Sequence, residues 1–400
     1  SFVKGLTTKP VVGVGRYTSP EAMLSIVQRG IVDFVGAARP SIADPFLPKK
    51  IQENRFEDIR ECIGCNICVS GDERMVPIRC TQNPSMGEEW RRGWHPESIA
   101  PKKSDREILV VGGGPAGLEA ARALGQRGYR VILTEAGREF GGRVHRESQL
   151  PGLSEWRRVV DWRLTQIEKL PNIFPYLGSP MSAADVLDAG PRDVIIATGS
   201  TWRRDGIGRS RKTESRFLKE TRVLTPDDLM AGKLPKGRVV LYDDDHYYLG
   251  GVLAELLTEN GCQVTLVTPA PLVSAWTEFT LEQERIHARL LHLGVTLLPH
   301  HVLASSNPEA VTVHHAISSA ETILPADALV LVTERTPNDA LYRELLPSLA
   351  DGKLDSLRLI GDAEAPNIIA QAVYSGHLAA QEFDEPINPD ETPFQRERTL

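Results

Sequence analysis

An α/β fold with two Rossmann-like, nucleotide-binding-type domains and parallel sheets is what this sequence predicts, on three observations. The loop Gly112-Gly113-Gly114-Pro115-Ala116-Gly117 is a G-x-G-x-x-G set between an apolar strand and a helix, and the acid Glu135 closes the next strand. Residues 236–268 repeat the strand–helix–strand alternation. Two shorter β-α units with tight connections occupy residues 1–55.

Taken in order, residues 9–18 read as a short strand ending in a glycine turn. Ser19 then caps a helix with Pro20 at its first position, running to Arg29-Gly30. A second strand spans Val32 to Arg39, and Asp44-Pro45 opens another helix through Ile51. Two such units cannot close a sheet, since a parallel barrel needs eight. Residues 56–104 show little regular pattern beyond their cysteines, and residues 101–105 read as a linker.

The strand Glu107–Val111 leads into the glycine loop. Gly112, Gly114 and Gly117, with Pro115 and Ala116 at the helix start, let a pyrophosphate approach the helix N-terminus. The helix ends near Gly128, and Glu135 at the end of the second strand is placed to accept ribose hydroxyls. Two later strands end alike: Val194-Ile195-Ile196 in Ala197-Thr198-Gly199, and Leu357 to Ile360 in Gly361-Asp362. Both are expected at the same sheet edge as Gly112. The first nucleotide domain is then discontinuous, residues 105–235 and 335–400, around a second at 236–334.

That second domain lacks the glycine loop. After its first strand come Asp243-Asp244-Asp245-His246-Tyr247-Tyr248, carboxylates where a pyrophosphate requires N–H groups and positive potential. Their repulsion of a dianion disfavours NAD(P)H there; a solvated turn and a specific role both remain open for the acids. Cys262 reads as a core residue. The stretch from Trp202 to Arg222 holds Arg203, Arg204, Arg209, Arg211, Lys212, Arg216, Lys219 and Arg222, either a solvated loop or a dock for an acidic partner. His300-His301 and His314-His315 read as structural.

Cys62, Cys65, Cys68 and Cys80 form a C-x2-C-x2-C-x11-C pattern. A thiolate every third residue plus one returning from a loop suits a [4Fe–4S] cluster, one thiolate per iron. A disulfide framework fits poorly, because the chain has only five cysteines. Zinc is the rival, although its sites usually pair two-cysteine knuckles or mix in histidine.

The 400 residues suggest two or three domains. A net charge of −7 argues against nucleic acid as a partner. No run of apolar residues is long enough to span a membrane, and the N-terminus has no signal-peptide pattern. Sparse cysteines and this start point to a cytoplasmic location. A first residue of Ser, not Met, suggests a fragment or a processed product.

Several stretches together resemble the C-terminal part of the trimethylamine dehydrogenase and 2,4-dienoyl-CoA reductase group of iron–sulfur flavoproteins. They are Val12-Gly13-Val14-Gly15-Arg16-Tyr17, Ala38-Arg39-Pro40-Ser41-Ile42-Ala43-Asp44-Pro45-Phe46, Cys62-Ile63-Gly64-Cys65-Asn66, Cys80-Thr81-Gln82-Asn83, Arg91-Arg92-Gly93-Trp94-His95-Pro96 and Ile360-Gly361-Asp362-Ala363-Glu364-Ala365-Pro366. The resemblance implies that residues 1–55 end an FMN-binding TIM-type barrel, with Gly15, Arg16, Ala38 and Arg39 at the FMN phosphate. It makes residues 56–104 the cluster segment and gives FAD or only ADP to the first nucleotide domain. Two residues between the second and third cysteines, and the acidic turn, match the amine dehydrogenases. The reductase branch tends to have three and needs an NADPH site. Tyr247 matches a tyrosine beside the electron exit to an electron-transfer flavoprotein, whereas Glu61 replaces an apolar residue of the trimethylamine enzyme. The expectation is an amine dehydrogenase or N-demethylase acting on a small amine, with catalytic residues upstream of Ser1. It is a homo-oligomer or a complex with a chain supplying the rest of the barrel. Two alternatives stand: an NAD(P)H-dependent enoate or dienoyl-CoA reductase, and an electron-transfer subunit whose catalytic barrel lies on another chain.

Overall fold

A computed structural model describes residues 2–213 and 222–385. Arg216 and Lys219 of the basic stretch, and the end of the 335–400 segment from residue 386, lie outside the described residues. The chain forms two compact units, one of residues 1–145, 155–199 and 339–400, the other of residues 146–154 and 200–338.

The first unit is built on a five-stranded parallel sheet ordered Ser356–Leu359, Asp193–Ile196, Glu107–Val111, Arg130–Thr134, Ile173–Tyr176. Its three central strands are near-continuous apolar runs because both faces are covered. On one face Leu109, Val111, Val194 and Ile196 pack on Val186, Leu345 and Leu354. Each such side chain contributes about 1.5–3 kcal/mol by leaving water. The helices Pro115–Arg127 and Ile369–Gln381 approach so closely that a Cβ on Gly376 would stand 2.2 Å from the Ala116 carbonyl oxygen.

The N-terminal residues of this unit form a two-stranded parallel ribbon, Val12–Val14 with Phe34–Gly36. Ser19 caps the connecting helix Pro20–Gln28 by accepting from the Ala22 N–H. The second strand is shorter than expected. It ends at Gly36, and Ala38 and Arg39 open the helix Ala38–Ala43, which the sequence reading missed. The cysteine segment is also more ordered than expected: the helix Ile67–Glu73 carries Cys68 and starts after Asn66, whose φ of +55° is a left-handed value that Asn tolerates.

The second unit has its own parallel sheet, ordered Thr296–Leu298, Gln263–Val267, Arg238–Asp243, Ala328–Val332, Val223–Leu224. An antiparallel sheet of His301–Ser306, Ala310–His315 and Glu321–Pro325 packs Leu303, Val311 and Val313 on Val240, Tyr242 and Leu331. The domain boundary expected at residue 235 falls instead between residues 199 and 200. Val223–Leu224 pairs with Leu329–Val330, and Ser200–Trp202 pairs with Arg335–Pro337, so backbone bonds bind residues 200–235 to this unit. Cys62 to Cys80 and residues 1–55 form no separate body and pack within the first unit.

Candidate functional site

Cys62, Cys65, Cys68 and Cys80 all lie in the first unit, each residue keeping part of its surface open. Their sulfurs lie deeper. Burial pushes the Cys65 thiol up to about 12 and the Cys80 thiol to about 11, and raises Cys68 as well. The four are mutual electrostatic neighbours: Cys62 and Cys80 raise Cys65, and Cys62 raises Cys68 and Cys80. Thiolates so placed need a compensating cation, and a metal supplies one.

Backbone N–H groups are aimed at these sulfurs. The Gly64 N–H donates to Cys62 Sγ at 3.5 Å, and the Ile67, Val69 and Asn83 N–H groups partly offset burial at Cys65, Cys68 and Cys80. Thr81 Oγ1 lies 3.1 Å from Cys65 Sγ. Among the described residues, no three His, Cys, Asp or Glu side chains converge closely enough to hold a single metal ion.

Behind the cysteines lies a buried ionic network that sequence reasoning missed. Glu119 of the nucleotide-binding helix and Arg163 of the helix Arg158–Glu168 are both fully buried. Arg163 donates from Nε to Glu119 Oε2 at 2.9 Å, and from its two terminal nitrogens to Gln82 Oε1 and Gln82 O at 3.0 Å each. Arg122 donates to both Glu119 oxygens, and His377 Nδ1 lies 2.9 Å from Oε1. Burial alone would raise Glu119; Arg122 and Arg163 overcome it and hold the carboxyl well below its usual range. Burial lowers Arg163 to about 10. The available signal was a charged residue at an inward position of each helix.

In the nucleotide loop, Gly112 has φ +110°, and a Cβ there would sit 2.3 Å from the Ala197 carbonyl oxygen. A Cβ on Gly117 would fall 1.9 Å from the Gly112 carbonyl oxygen. Gly114 is the residue before the helix, and Pro115 and Ala116 start it. Ala197, Thr198 and Gly199 follow the neighbouring strand, and the Ala197 N–H donates to the Val111 carbonyl. Gly361 and Asp362 follow the third, so the three strand ends meet at one sheet edge. Asp362 accepts from the Asn367 N–H at 3.0 Å and pairs with Arg143. Glu135, expected to face a ribose, accepts the N–H groups of Gly113 at 2.8 Å and Gly137 at 2.7 Å. In this structure it therefore braces the glycine loop.

On the other side of the cysteines, Arg16 and Arg39 converge on the Asn66 side-chain oxygen at 2.5 and 3.1 Å. Asn66 lies between Cys65 and Cys68, so the two arginines expected at a flavin phosphate touch the cysteine loop directly. Ala38 opens its short helix, but the Gly15 N–H is taken by the Gly36 carbonyl at 3.1 Å. Gly15, expected at the flavin phosphate, therefore uses its N–H to close the strand ribbon.

In the second unit, Asp243 and Asp244 are fully buried, so the solvated-turn alternative is corrected for both. Asp243 Oδ1 accepts the Asp245 and His246 N–H groups, while Oδ2 has no hydrogen-bond partner among the described residues. A Cβ on Gly250 would be 2.4 Å from that oxygen. Burial, then repulsion from Asp245, raises Asp243 to about 7. Asp244 accepts from Ser210. Tyr247 packs edge-to-face on Tyr248 at 4.7 Å and on Trp276 at 4.8 Å, and Trp276 on the exposed Phe279 at 6.0 Å. Of the basic stretch, Arg203, Arg204, Arg211 and Lys212 bond within this unit, to Asp205, Asp228, Leu303 O and Gly208 O.

Residues 1–58 match the NADH:flavin oxidoreductase / NADH oxidase family, and residues 106–354 the pyridine nucleotide-disulphide oxidoreductase family. The chain is 40% identical to dimethylamine dehydrogenase of Hyphomicrobium sp. (strain x), over 99% of this chain and 58% of that relative. It superposes on histamine dehydrogenase from Rhizobium sp. 4-9 with a TM-score of 0.97 at 49% identity, covering 100% of this chain and 59% of that one. On 6-hydroxypseudooxynicotine amine oxidase from Pseudomonas geniculata N1 the TM-score is 0.94 at 48% identity, covering 96% of this chain and 57% of the other. The chain thus spans just over half the length of each of these relatives. With both segment types in this order and these relatives along its whole length, the chain belongs to the trimethylamine dehydrogenase and 2,4-dienoyl-CoA reductase group of flavoprotein oxidoreductases.

Proposed function

We infer that this chain is the electron-relay portion of an amine dehydrogenase or N-demethylase, with a [4Fe–4S] cluster on Cys62, Cys65, Cys68 and Cys80. The observation that carries the reading is four clustered thiols, three of them raised by burial, with Asn66 of their loop held by Arg16 and Arg39. The C-x2-C-x2-C-x11-C spacing, with a third cysteine inside the first knuckle, favours a cluster over one zinc. When bound, such a cluster takes up single electrons from a two-electron flavin donor.

The residues divide the remaining work. Arg16 and Arg39 hold a flavin phosphate by charge-assisted bonds while keeping contact with Asn66. The Gly112–Gly117 loop and its helix bind the ADP half of FAD or ADP itself. Tyr247, Trp276 and Phe279 offer a packed aromatic route to the surface of the second unit, where a soluble electron-transfer flavoprotein docks. The ribbon residues Val12, Val14 and Phe34 present bare apolar surface, as barrel strands do where neighbours cover them.

The NAD(P)H reading is disfavoured by the second unit, where the buried Asp243 and Asp244 hold the turn that would receive the pyrophosphate. The test is iron and acid-labile sulfide content, about four irons per chain being expected for the cluster, followed by anaerobic stopped-flow reduction of the complete enzyme. Reduction by a methylated or primary amine and not by NADPH is the expected result. Stoichiometric zinc, or rapid reduction by NADPH, defeats the proposal.

A further inference from the structure

Gln82 clamps both ends of the cysteine segment. Its side-chain amide donates to the carbonyl of Glu61, the residue before Cys62, at 3.0 Å, and to the Arg158 carbonyl at 3.2 Å. Its backbone lies only two residues past Cys80. Both Gln82 acceptors, the amide oxygen and the backbone carbonyl, receive hydrogen bonds from one guanidinium, that of Arg163. The third edge of that guanidinium is fixed to Glu119, one turn into the helix that starts at the nucleotide loop. Arg163 also donates to the Val159 carbonyl at 2.8 Å, which ties it to its own helix. All three side chains are at most 1% exposed, so water cannot substitute for any of these bonds.

We propose that Arg163 is a positioning residue for the cysteine site, fixing Gln82, and with it the backbone beside Cys62 and Cys80, against the nucleotide-binding helix. The inference rests on the cluster reading above and deepens it. Iron–sulfur potentials are set by hydrogen bonds to sulfur, net charge and burial. An N–H on a ligand sulfur stabilises the more negative, reduced cluster and so raises its potential. A chain of buried, fully bonded groups from Glu119 through Arg163 to Gln82 holds the Glu61 carbonyl in place, and with it the start of the loop where the Gly64 N–H meets Cys62 Sγ. It also joins the cysteine site mechanically to the nucleotide site.

The guanidinium geometry is what the role requires. Lysine keeps the charge but has a single nitrogen, which cannot bridge Glu119 and both acceptors of Gln82. Arg163→Lys therefore separates charge from positioning. Gln82→Met removes the clamp from the other side with an unbranched apolar side chain of similar length.

The experiment is a potentiometric titration of the holo form of the complete polypeptide, followed by EPR, in wild type, Arg163→Lys, Gln82→Met and the double variant. Iron and bound nucleotide are quantified in each. The expected result is a shift of the cluster midpoint to lower potential in both single variants, with altered g-values and wild-type iron content. The double variant should shift no further than the larger single, because both act on one path. An unchanged midpoint in either iron-replete variant, or shifts that add, overturns the proposal. If either variant is isolated short of iron, it is reconstituted first; chelator-driven iron release much faster than urea unfolding then supports the proposal, and release locked to global unfolding overturns it. Wild-type protein without iron and sulfide would sink the cluster reading itself, a separate outcome.

Discussion

Glu119→Gln is the sharpest test of how the first unit is held together. The change keeps the shape of the side chain and removes its charge. In the native state that carboxylate faces Arg163, Arg122 and His377, and it is fully buried. The group of four carries one negative charge and two guanidinium charges, with His377 kept neutral by burial, which lowers its pKa. Without the carboxylate, two buried cations face each other across an amide. Breaking a buried ion pair by removing one partner typically costs about 3–5 kcal/mol, a large share of the roughly 5–15 kcal/mol that stabilises a domain. The assay is urea unfolding at neutral pH, read by a shift of the midpoint at constant slope. In an Arg163→Met background, only Arg122 is left uncompensated, so the same substitution should cost less than half as much. The coupling read from the cycle should be about 2–3 kcal/mol. The pH dependence gives a second reading. A carboxyl held below its unfolded value contributes stability above that value and loses it as pH falls through the folded one. The wild-type midpoint should therefore decline as pH drops below the unfolded value near 4.5, and Glu119→Gln should flatten that decline. A cost below about 1 kcal/mol, or an equal cost in both backgrounds, would refute the reasoning.

Other outcomes follow from the same geometry. Gly117→Ala should abolish retention of the adenine nucleotide, measured by absorbance after denaturation, because the new Cβ meets the Gly112 carbonyl at 1.9 Å; its circular dichroism should stay near wild type. Cys65→Ala should drop iron from about four per chain to near zero, while Cys262→Ala should keep it, since Cys262 lies in the other unit against the Pro235 carbonyl. Asp243 has its folded value raised from 3.8 to about 7, so the folded state binds the extra proton between those values and stability falls as pH rises through that window. Asp243→Asn should remove that slope, read as the urea midpoint from pH 4 to 8.

Local geometry was legible in the linear pattern. The glycine loop between strand and helix and the Ser19-Pro20 helix start are local signals, written within a few residues by turn geometry and capping. The strand ends at Ala197 and Gly361 were legible too, because apolar runs ending in small residues carry their own punctuation. What sequence alone left open depended on which groups face each other across long separations. Whether the Asp243–Asp245 turn is wet or buried turns on the Ser210 loop packed over it. Residues 200–235 join the second unit because Val223–Leu224 finds an open edge beside Leu329–Val330, a pairing too short to announce itself. Glu135 turns to the loop amides, and Gly15 spends its N–H on Gly36. Above all, Glu119, Arg163 and Gln82 looked like ordinary polar residues until the fold buried them together. Local chemistry, held in backbone conformation and spacing, was determined by the sequence. Burial and partnership, products of the whole chain's packing, were decided only by the tertiary structure.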